Sequence, residues 1–238
     1  MKMEALAIPE VLLITPRVFG DARGFFMESW NRRAFAATGL DIDFVQDNHS
    51  RSQQGVLRGL HYQIRQPQGK LVRVVAGAVF DVAVDLRRSS PYFGQWAGAT
   101  LSAENQQMLW VPPGFAHGFY VLSESADFLY KTTEFYVPEA ECCVLWNDPD
   151  IAVDWPLLAG NPPLLAGKDA AGLGGQGTVG GAVTVDGIGH PGFGFGTIHG
   201  GVSGGIDEAV GLETCRRLTD LAGITNIQIL ASQGIQLD

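Results

Sequence analysis

The stretch Gly55-Val-Leu-Arg-Gly-Leu-His-Tyr-Gln, followed by Gln68-Gly-Lys-Leu-Val-Arg, carries the strongest structural signal in the chain. It places Arg58, His61 and Lys70 among apolar residues of the kind that form β-strands. Further along, Pro112-Pro-Gly-Phe-Ala-His-Gly supplies a second histidine, His117. These four polar residues in strand-like surroundings are candidates for a functional site.

Short β-strands separated by turns are predicted on both sides of this stretch. Leu71–Val75 and Ala78–Leu86 flank a turn signal at Ala76-Gly77, and apolar residues alternate along the second run. One helix is predicted at Asn31–Thr38, ending at a capping Gly39. Further strands are predicted at Val11–Ile14, Gly24–Ser29, Phe44–Gln46, Leu109–Val111, Phe119–Leu122, Phe128–Thr133 and Cys143–Trp146. Many short strands with little helix predict a mainly β fold, an antiparallel sandwich or barrel with jelly roll as the leading case.

The histidine positions resemble the two signatures of a cupin barrel, in which three histidines and one carboxylate bind a divalent metal. His61 and His117 stand at the first and last ligand positions. Gln63 replaces the middle histidine, and Lys70, with six residues between it and Gly77, replaces the carboxylate. Two imidazoles alone make a weak metal site, and an ammonium repels a cation but attracts an oxyanion. The sequence therefore predicts no metal and a site for negative charge. A metal-dependent cupin oxygenase is the alternative.

Each candidate residue also has a plain structural interpretation. A single histidine on an apolar strand is most often hydrogen-bonded in the core, and Lys70 can be a solvated strand end. Arg58 is on the opposite face of a regular strand from the histidine three positions later, unless a bulge at Gly59 brings them together. Tyr130 and Tyr136 share one face by parity, and aromatic rings on a sheet usually serve packing. No single residue is therefore strong evidence for a site.

Composition limits the class of protein. The chain has 238 residues, 46% hydrophobic and 17% charged, which is enough for a sizeable core in one large or two small domains. A net charge of −9 argues against nonspecific binding to nucleic acid or anionic membranes. Pro9 and Glu10 interrupt the N-terminal apolar run, and no stretch approaches the roughly 20 apolar residues of a membrane span. We expect a soluble cytoplasmic protein.

The chain divides into two unlike parts near residue 172. Residues 172–238 hold 18 of the 31 glycines but only eight charged residues. Glycine at this density costs too much backbone entropy for an ordinary core. We therefore expect a jelly-roll domain over residues 1–172 and a glycine-rich extension over residues 173–238. The extension is either a disordered, dispensable addition or the product of a changed reading frame.

Nine ordered blocks lie between about residue 8 and residue 171. They are Phe19-Gly-Asp-Ala-Arg-Gly-Phe-Phe-Met-Glu-Ser, Phe44-Val-Gln-Asp-Asn-His-Ser, Val56-Leu-Arg-Gly-Leu-His-Tyr-Gln, Gln68-Gly-Lys-Leu-Val-Arg, Phe80-Asp-Val-Ala-Val-Asp, Phe93-Gly-Gln-Trp, Leu101-Ser-Ala-Glu-Asn, Gly114-Phe-Ala-His-Gly-Phe and Phe128-Leu-Tyr-Lys-Thr-Thr. In order and spacing they resemble the dTDP-4-dehydrorhamnose 3,5-epimerase family. The resemblance implies a cupin-like jelly-roll homodimer without metal or organic cofactor. It also implies inversion of both carbons beside the ketone of a dTDP-4-keto-6-deoxy sugar, in dTDP-L-rhamnose biosynthesis. A single-centre epimerase and a non-catalytic sugar-nucleotide-binding cupin are the alternatives.

The resemblance further implies residue roles. His61 matches the base that removes the proton beside the ketone, and Tyr130 matches the donor on the opposite side. Lys70 would stabilise the enolate, and Asp169 would orient the histidine. The positions that match contacts to nucleotide, diphosphate or sugar are Phe19, Arg23, Glu28, Gln46, Asp47, Asn48, Arg58, Lys70, His117, Tyr136, Glu141 and Lys168. In this family two subunits can share a site, so some of these residues serve the partner's site.

Overall fold

The computed structural model describes residues 1–172, and the extension predicted for residues 173–238 lies outside the described residues. The described part is mainly β-structure, with two short helices, α1 (Arg32–Ala36) and α2 (Gly167–Ala170), and a 3₁₀ turn at Pro138–Ala140. The strands are β1 (Lys2–Ala5), β2 (Leu12–Thr15), β3 (Val18–Asp21), β4 (Gly24–Met27), β5 (Gln46–Gln53), β6 (Leu57–Gln63), β7 (Lys70–Ala76), β8 (Ala78–Asp85), β9 (Trp96–Ser102), β10 (Met108–Val111), β11 (Phe115–Val121), β12 (Ser125–Thr132) and β13 (Glu141–Cys143). Within residues 1–172, no helix has the length and apolarity needed to cross a membrane.

Two antiparallel sheets face each other. One contains six strands in the order β1-β2-β10-β7-β12-β5, and the other contains five in the order β13-β6-β11-β8-β9. Neighbours in each sheet are often distant in sequence, as in a jelly roll, and the fold prediction is confirmed. Strands β3 and β4 form a separate two-stranded hairpin.

Three apolar layers hold the sheets. The layer between them joins Val72, Val74 and Phe128 of the six-stranded sheet to Ala83 and Phe119 of the five-stranded sheet. The rings of Phe119 and Phe128 stack across this layer with centroids 4.2 Å apart. Behind the five-stranded sheet lie Ile151 and Trp155, and behind the six-stranded sheet lies Phe35 of α1. Both sheets thus carry apolar clusters on their outer faces as well as between them.

The predicted alternation along β8 is confirmed. Phe80, Val82 and Val84 face the outer layer behind the five-stranded sheet, whereas Asp81 and Ala83 face inward. The helix is shorter than predicted. It begins after Asn31, whose side chain caps the Ala34 amide, as expected at a helix N-terminus.

Strand β5 was predicted only as Phe44–Gln46 but runs over Gln46–Gln53. All eight of its residues are polar, so no apolar alternation reveals it. Pairing with β12 along its whole length creates the strand. The polar sequence is explained by its position at the edge of the six-stranded sheet, beside the site described below.

The bulge considered at Gly59 is present. His117 pairs with His61 and Phe119 pairs with Arg58, so β6 has one more residue than β11 over this interval. Gly59 has φ of +128°, and a Cβ there would lie 2.5 Å from the Cα of Gly118. Only glycine fits such a close approach between strands. The extra residue places Arg58 and His61 on the same inner face.

Candidate active site

The centre of the site is a histidine–carboxylate pair. His61 lies on β6, and its Nε2 is 2.5 Å from Oδ1 of Asp169 on α2. Asp169 is buried, whereas about a fifth of the His61 side chain is exposed. With Nε2 facing the carboxylate, the ring donates its Nε2–H to Asp169 and keeps its lone pair on Nδ1. The predicted orienting role of Asp169 therefore has a matching geometry.

Lys70 begins β7 and is buried, so the interpretation as a solvated strand end is wrong. Burial lowers the pKa of Lys70 from its ordinary value to about 8, while the negative charges of Glu141 and Asp81 oppose the shift. At pH 7 the side chain is therefore still mostly an ammonium, but one with little hydration. Such a charge, fixed in place before any reaction, interacts strongly with a developing oxyanion.

His117 is buried beside a second carboxylate. Its Nε2 lies 3.0 Å from Oδ1 of Asp81, and its ring stacks on Phe128. Burial lowers the pKa of His117, so the ring is neutral at pH 7 and donates one hydrogen bond to Asp81. The core-histidine interpretation fits this environment, and a contact of His117 with substrate stays a prediction.

Tyr130 lies on the opposite wall from His61. It belongs to β12 of the six-stranded sheet, where it pairs with Val72 and shares the inner face with Phe128. Burial raises the pKa of Tyr130, and the charge of Glu141 on the five-stranded sheet adds to this effect. The hydroxyl therefore keeps its proton at neutral pH, and the side chain packs against the apolar layer between the two sheets. The two predicted proton-transfer groups thus come from facing sheets.

Glu141 is the centre of a polar cluster at the rim of the site. Its Oε2 accepts a hydrogen bond of 2.9 Å from the Tyr136 hydroxyl, and the Lys168 ammonium lies 3.1 Å from both carboxylate oxygens. Burial, followed by the bond to Glu141, raises the pKa of Tyr136 to about 12. The Tyr136 amide donates to Oε1 of Gln46, whose own amide group donates to Asn48. The structure therefore brings these five predicted residues together.

Two other predicted binding residues differ in their position. Arg58 is exposed on the inner face, and its Nε donates to Ser52 Oγ. Asp47 alternates with Gln46 and Asn48 and so projects from the other side of β5, where it pairs with Lys131 at 2.7 Å. The structure does not bring the Asp47 side chain together with the rest of the site.

Phe19, Arg23 and Glu28 lie on or just after the β3–β4 hairpin and make local contacts. Arg23 forms a forked ion pair with Asp21, and Glu28 accepts a hydrogen bond from Asn31. The Phe19 ring is half exposed. These contacts tie none of the three side chains to His61 or Lys70 of the same chain.

The two positions where cupins have further metal ligands are occupied differently here. The Gln63 amide bonds to the backbone of Gln66, Phe135 and Val137, and Lys70 carries a positive charge. However, Cys143, which the sequence reasoning missed, lies next to the central pair. Potential ligand atoms of His61, Cys143 and Asp169 all lie within 4.8 Å of one another. Burial raises the pKa of Cys143, so the group is a thiol at neutral pH and is unsuited to act as a base.

These features define a cupin-like jelly-roll enzyme whose site can accept a proton, donate a proton and stabilise a negative charge. The sequence pattern of dTDP-4-dehydrorhamnose 3,5-epimerase matches residues 5–174. The dTDP-4-dehydrorhamnose 3,5-epimerase of Pseudomonas aeruginosa is 66% identical over 173 residues, 72% of this chain and 94% of the relative. The chain belongs to the dTDP-4-dehydrorhamnose 3,5-epimerase family and is an isomerase.

Solved structures agree with this assignment. A dTDP-6-deoxy-D-glucose-3,5-epimerase from Legionella pneumophila, in complex with dTDP-4-keto-L-rhamnose, is 55% identical with a TM-score of 0.69, covering 72% of this chain and 90% of that one. A 3'-monoepimerase from Streptomyces bikiniensis, in complex with dTDP-quinovose, is 34% identical with a TM-score of 0.65, covering 70% and 84%. Relatives that invert one or two centres therefore share this fold.

Proposed function

We propose that this chain converts dTDP-4-dehydro-6-deoxy-D-glucose to dTDP-4-dehydro-L-rhamnose by inverting C3 and C5. The observation that carries the proposal is that His61 and Tyr130 lie on facing sheets, with Lys70 between the same layers. An enolate is planar, so inversion needs a base on one face and a proton donor on the other. With His61 on one sheet and Tyr130 on the other, a sugar ring bound between the sheets would have one group on each face.

The proposed sequence is the same at each carbon. Nδ1 of His61 accepts the proton beside the C4 ketone, and the electron pair moves to the ketone oxygen. Lys70 stabilises the resulting enolate by its charge, and Asp169 stabilises the imidazolium through Nε2–H. Tyr130 then donates its proton to the opposite face, and the tyrosinate is reprotonated through solvent. These steps transfer only protons, so they need no oxidant, metal or organic cofactor.

Substrate binding is assigned to the rim. Arg58 is suited to the diphosphate, because a guanidinium forms paired, charge-assisted bonds with phosphate oxygens. Gln46, Asn48 and Tyr136 form a connected polar group beside Tyr130. Of these, Asn48 is the direct cross-strand neighbour of Tyr130. This arrangement supports a contact with the sugar or the nucleotide.

We propose that the active form is a homodimer. Among residues 1–172, the β3–β4 hairpin pairs with no other strand, and Phe19, Phe25 and Phe26 are 50%, 63% and 67% exposed. An isolated hairpin is marginally stable in water, and clustered exposed aromatic residues mark interaction surfaces. A second copy would cover the hairpin and receive Phe19, Arg23 and Glu28 beside its own site. A monomeric wild type, measured by light scattering, would contradict this. The cytoplasmic location stays a prediction.

The reaction is tested by NMR of dTDP-4-keto-6-deoxyglucose incubated with the protein in deuterated water. The proposal predicts deuterium at both C3 and C5, with both configurations inverted. Label and inversion at one carbon would instead identify a single-centre epimerase. Binding of the sugar nucleotide without exchange at either carbon would identify a non-catalytic binding protein.

A further inference from the structure

Cys143 forms a cluster with the His61–Asp169 pair that the proposed reaction does not use. The three residues come from β6, β13 and α2, and their potential ligand atoms lie within 4.8 Å of one another. Within residues 1–172 this is the one group of three such side chains that meets this spacing. The cluster combines an imidazole, a thiol and a buried carboxylate, which distinguishes it from a surface group of acidic residues.

The backbone fixes this arrangement. Leu60 and Val144 exchange two hydrogen bonds, of 3.2 and 2.9 Å, between β6 and the chain leaving β13. The next pair, His61 and Cys143, therefore occupies a non-hydrogen-bonded position, where side chains on antiparallel strands are closest. Asp169 reaches the same point from α2 and is buried there. Strand register thus fixes the His61–Cys143 pair, and Asp169 completes the cluster from α2.

The three side chains match the ligands that proteins use for zinc. Zn²⁺ takes cysteine sulfur, histidine nitrogen and carboxylate oxygen, and three such ligands leave a fourth position for water. Tetrahedral ligands at about 2.0–2.3 Å from the metal are roughly 3.3–3.8 Å apart. The 2.5 Å pair would therefore open by about 1 Å, and the thiol would approach. Mg²⁺ and Ca²⁺ prefer oxygen ligands only, so the sulfur selects a softer cation.

We propose that His61, Cys143 and Asp169 form an inhibitory Zn²⁺ site. The inhibitory part rests on the proposed function, because the cation occupies the catalytic pair. Coordination through Nε2 of His61 moves the ring proton to Nδ1 and releases the thiol proton to solvent. A ring protonated at Nδ1 cannot accept a proton from the substrate. The positive Lys70 weighs against a cation, but the carboxylate and the thiolate supply two negative ligands in addition to the imidazole of His61.

Binding is measured separately from turnover by using Co²⁺ as an optical probe of the Zn²⁺ site. Purified wild type titrated with Co²⁺ should develop a near-ultraviolet thiolate-to-cobalt band that saturates at one equivalent and disappears on addition of Zn²⁺. Zn²⁺ should also stop epimerisation over the concentration range in which it displaces Co²⁺. Cys143→Ser should lose the band and need on the order of tenfold more Zn²⁺ for half-inhibition.

A matched control uses the exposed His49, whose Nε2 lies 3.1 Å from Asp127. His49→Ala should keep both the Co²⁺ band and the sensitivity to Zn²⁺. A band that persists in Cys143→Ser, or Zn²⁺ inhibition unchanged in that variant, would overturn the proposed site. A Cys143-dependent band in a protein without epimerase activity would overturn the proposed function and its inhibition while leaving the metal site supported.

Discussion

Replacing Lys70 by methionine should make the protein more stable while making it a poor enzyme. Burial lowers the pKa of this lysine from 10.5 to about 8. Since one pKa unit corresponds to about 1.36 kcal/mol, the charged form is about 3 kcal/mol less favourable in the fold than in the unfolded chain. Methionine has a similar volume and no charge, so Lys70→Met should raise the free energy of unfolding at pH 7 by about 1–3 kcal/mol.

The pH dependence gives this prediction its sign. Below pH 8 the lysine is charged in both states, and the folded state bears the full penalty. Between pH 8 and 10.5 the folded protein has released the proton and the unfolded chain still binds it, so wild-type stability rises with pH. The difference in free energy of unfolding between Lys70→Met and the wild type should therefore decrease by about 2 kcal/mol between pH 7 and pH 9.5.

The assay is urea unfolding of both proteins at equal concentration, because assembly contributes to apparent stability. Lys2→Met is the control, since Lys2 is mostly exposed and should change stability by less than about 1 kcal/mol. Epimerisation by Lys70→Met should fall on the order of 10²–10³-fold. A variant that is less stable than wild type at pH 7, with no narrowing at higher pH, would refute the idea of a buried charge at Lys70.

Three further outcomes follow from the site. EDTA should not diminish activity, because Gln63 and Lys70 replace two cupin ligands; loss of turnover restored by one specific metal would contradict this. Turnover should decline as the pH rises through about 8, where Lys70 loses its charge, and Lys70→Arg should remove that dependence in whatever activity remains. A chain ending at Gly172 should stay folded, dimeric and at least partly active, since the nine matched blocks all lie before that point and the remainder is rich in glycine. An insoluble product, or a monomeric one in light scattering, would show that the remainder belongs to the fold.

The sequence was most informative where local pattern and structure agree. Alternation along Ala78–Leu86 predicted β8 and its two faces, and the apolar residues around His61 and Lys70 predicted strands bearing polar groups. The weak point was β5, whose polar residues form a strand only because β12 pairs with them. Pairing between distant segments leaves no periodic signal in either segment.

The candidate site, like the fold, could be predicted from the sequence only in part. The family resemblance picked out His61, Lys70, Tyr130 and Asp169, and the structure brings the first and last within hydrogen-bond distance. Asp81 lies in the alternating run that predicted β8, and no feature of the sequence assigned it a role. A carboxylate buried in a strand needs a hydrogen-bond partner, and the structure shows that this partner is His117. Cys143 reaches His61 through the β13–β6 register, which lies between residues some eighty positions apart and which no local motif encodes.

The central claim is that His61 removes the proton and Tyr130 returns one to the other face. It is tested most directly by NMR of the substrate in deuterated water with the His61→Ala and Tyr130→Phe variants. His61→Ala should abolish both inversion and exchange at C3 and C5. Tyr130→Phe should still exchange, because base and Lys70 remain, but with retained configuration and a loss of epimerisation on the order of 10²–10⁴-fold. Exchange by His61→Ala at the wild-type rate would contradict the assignment of the base.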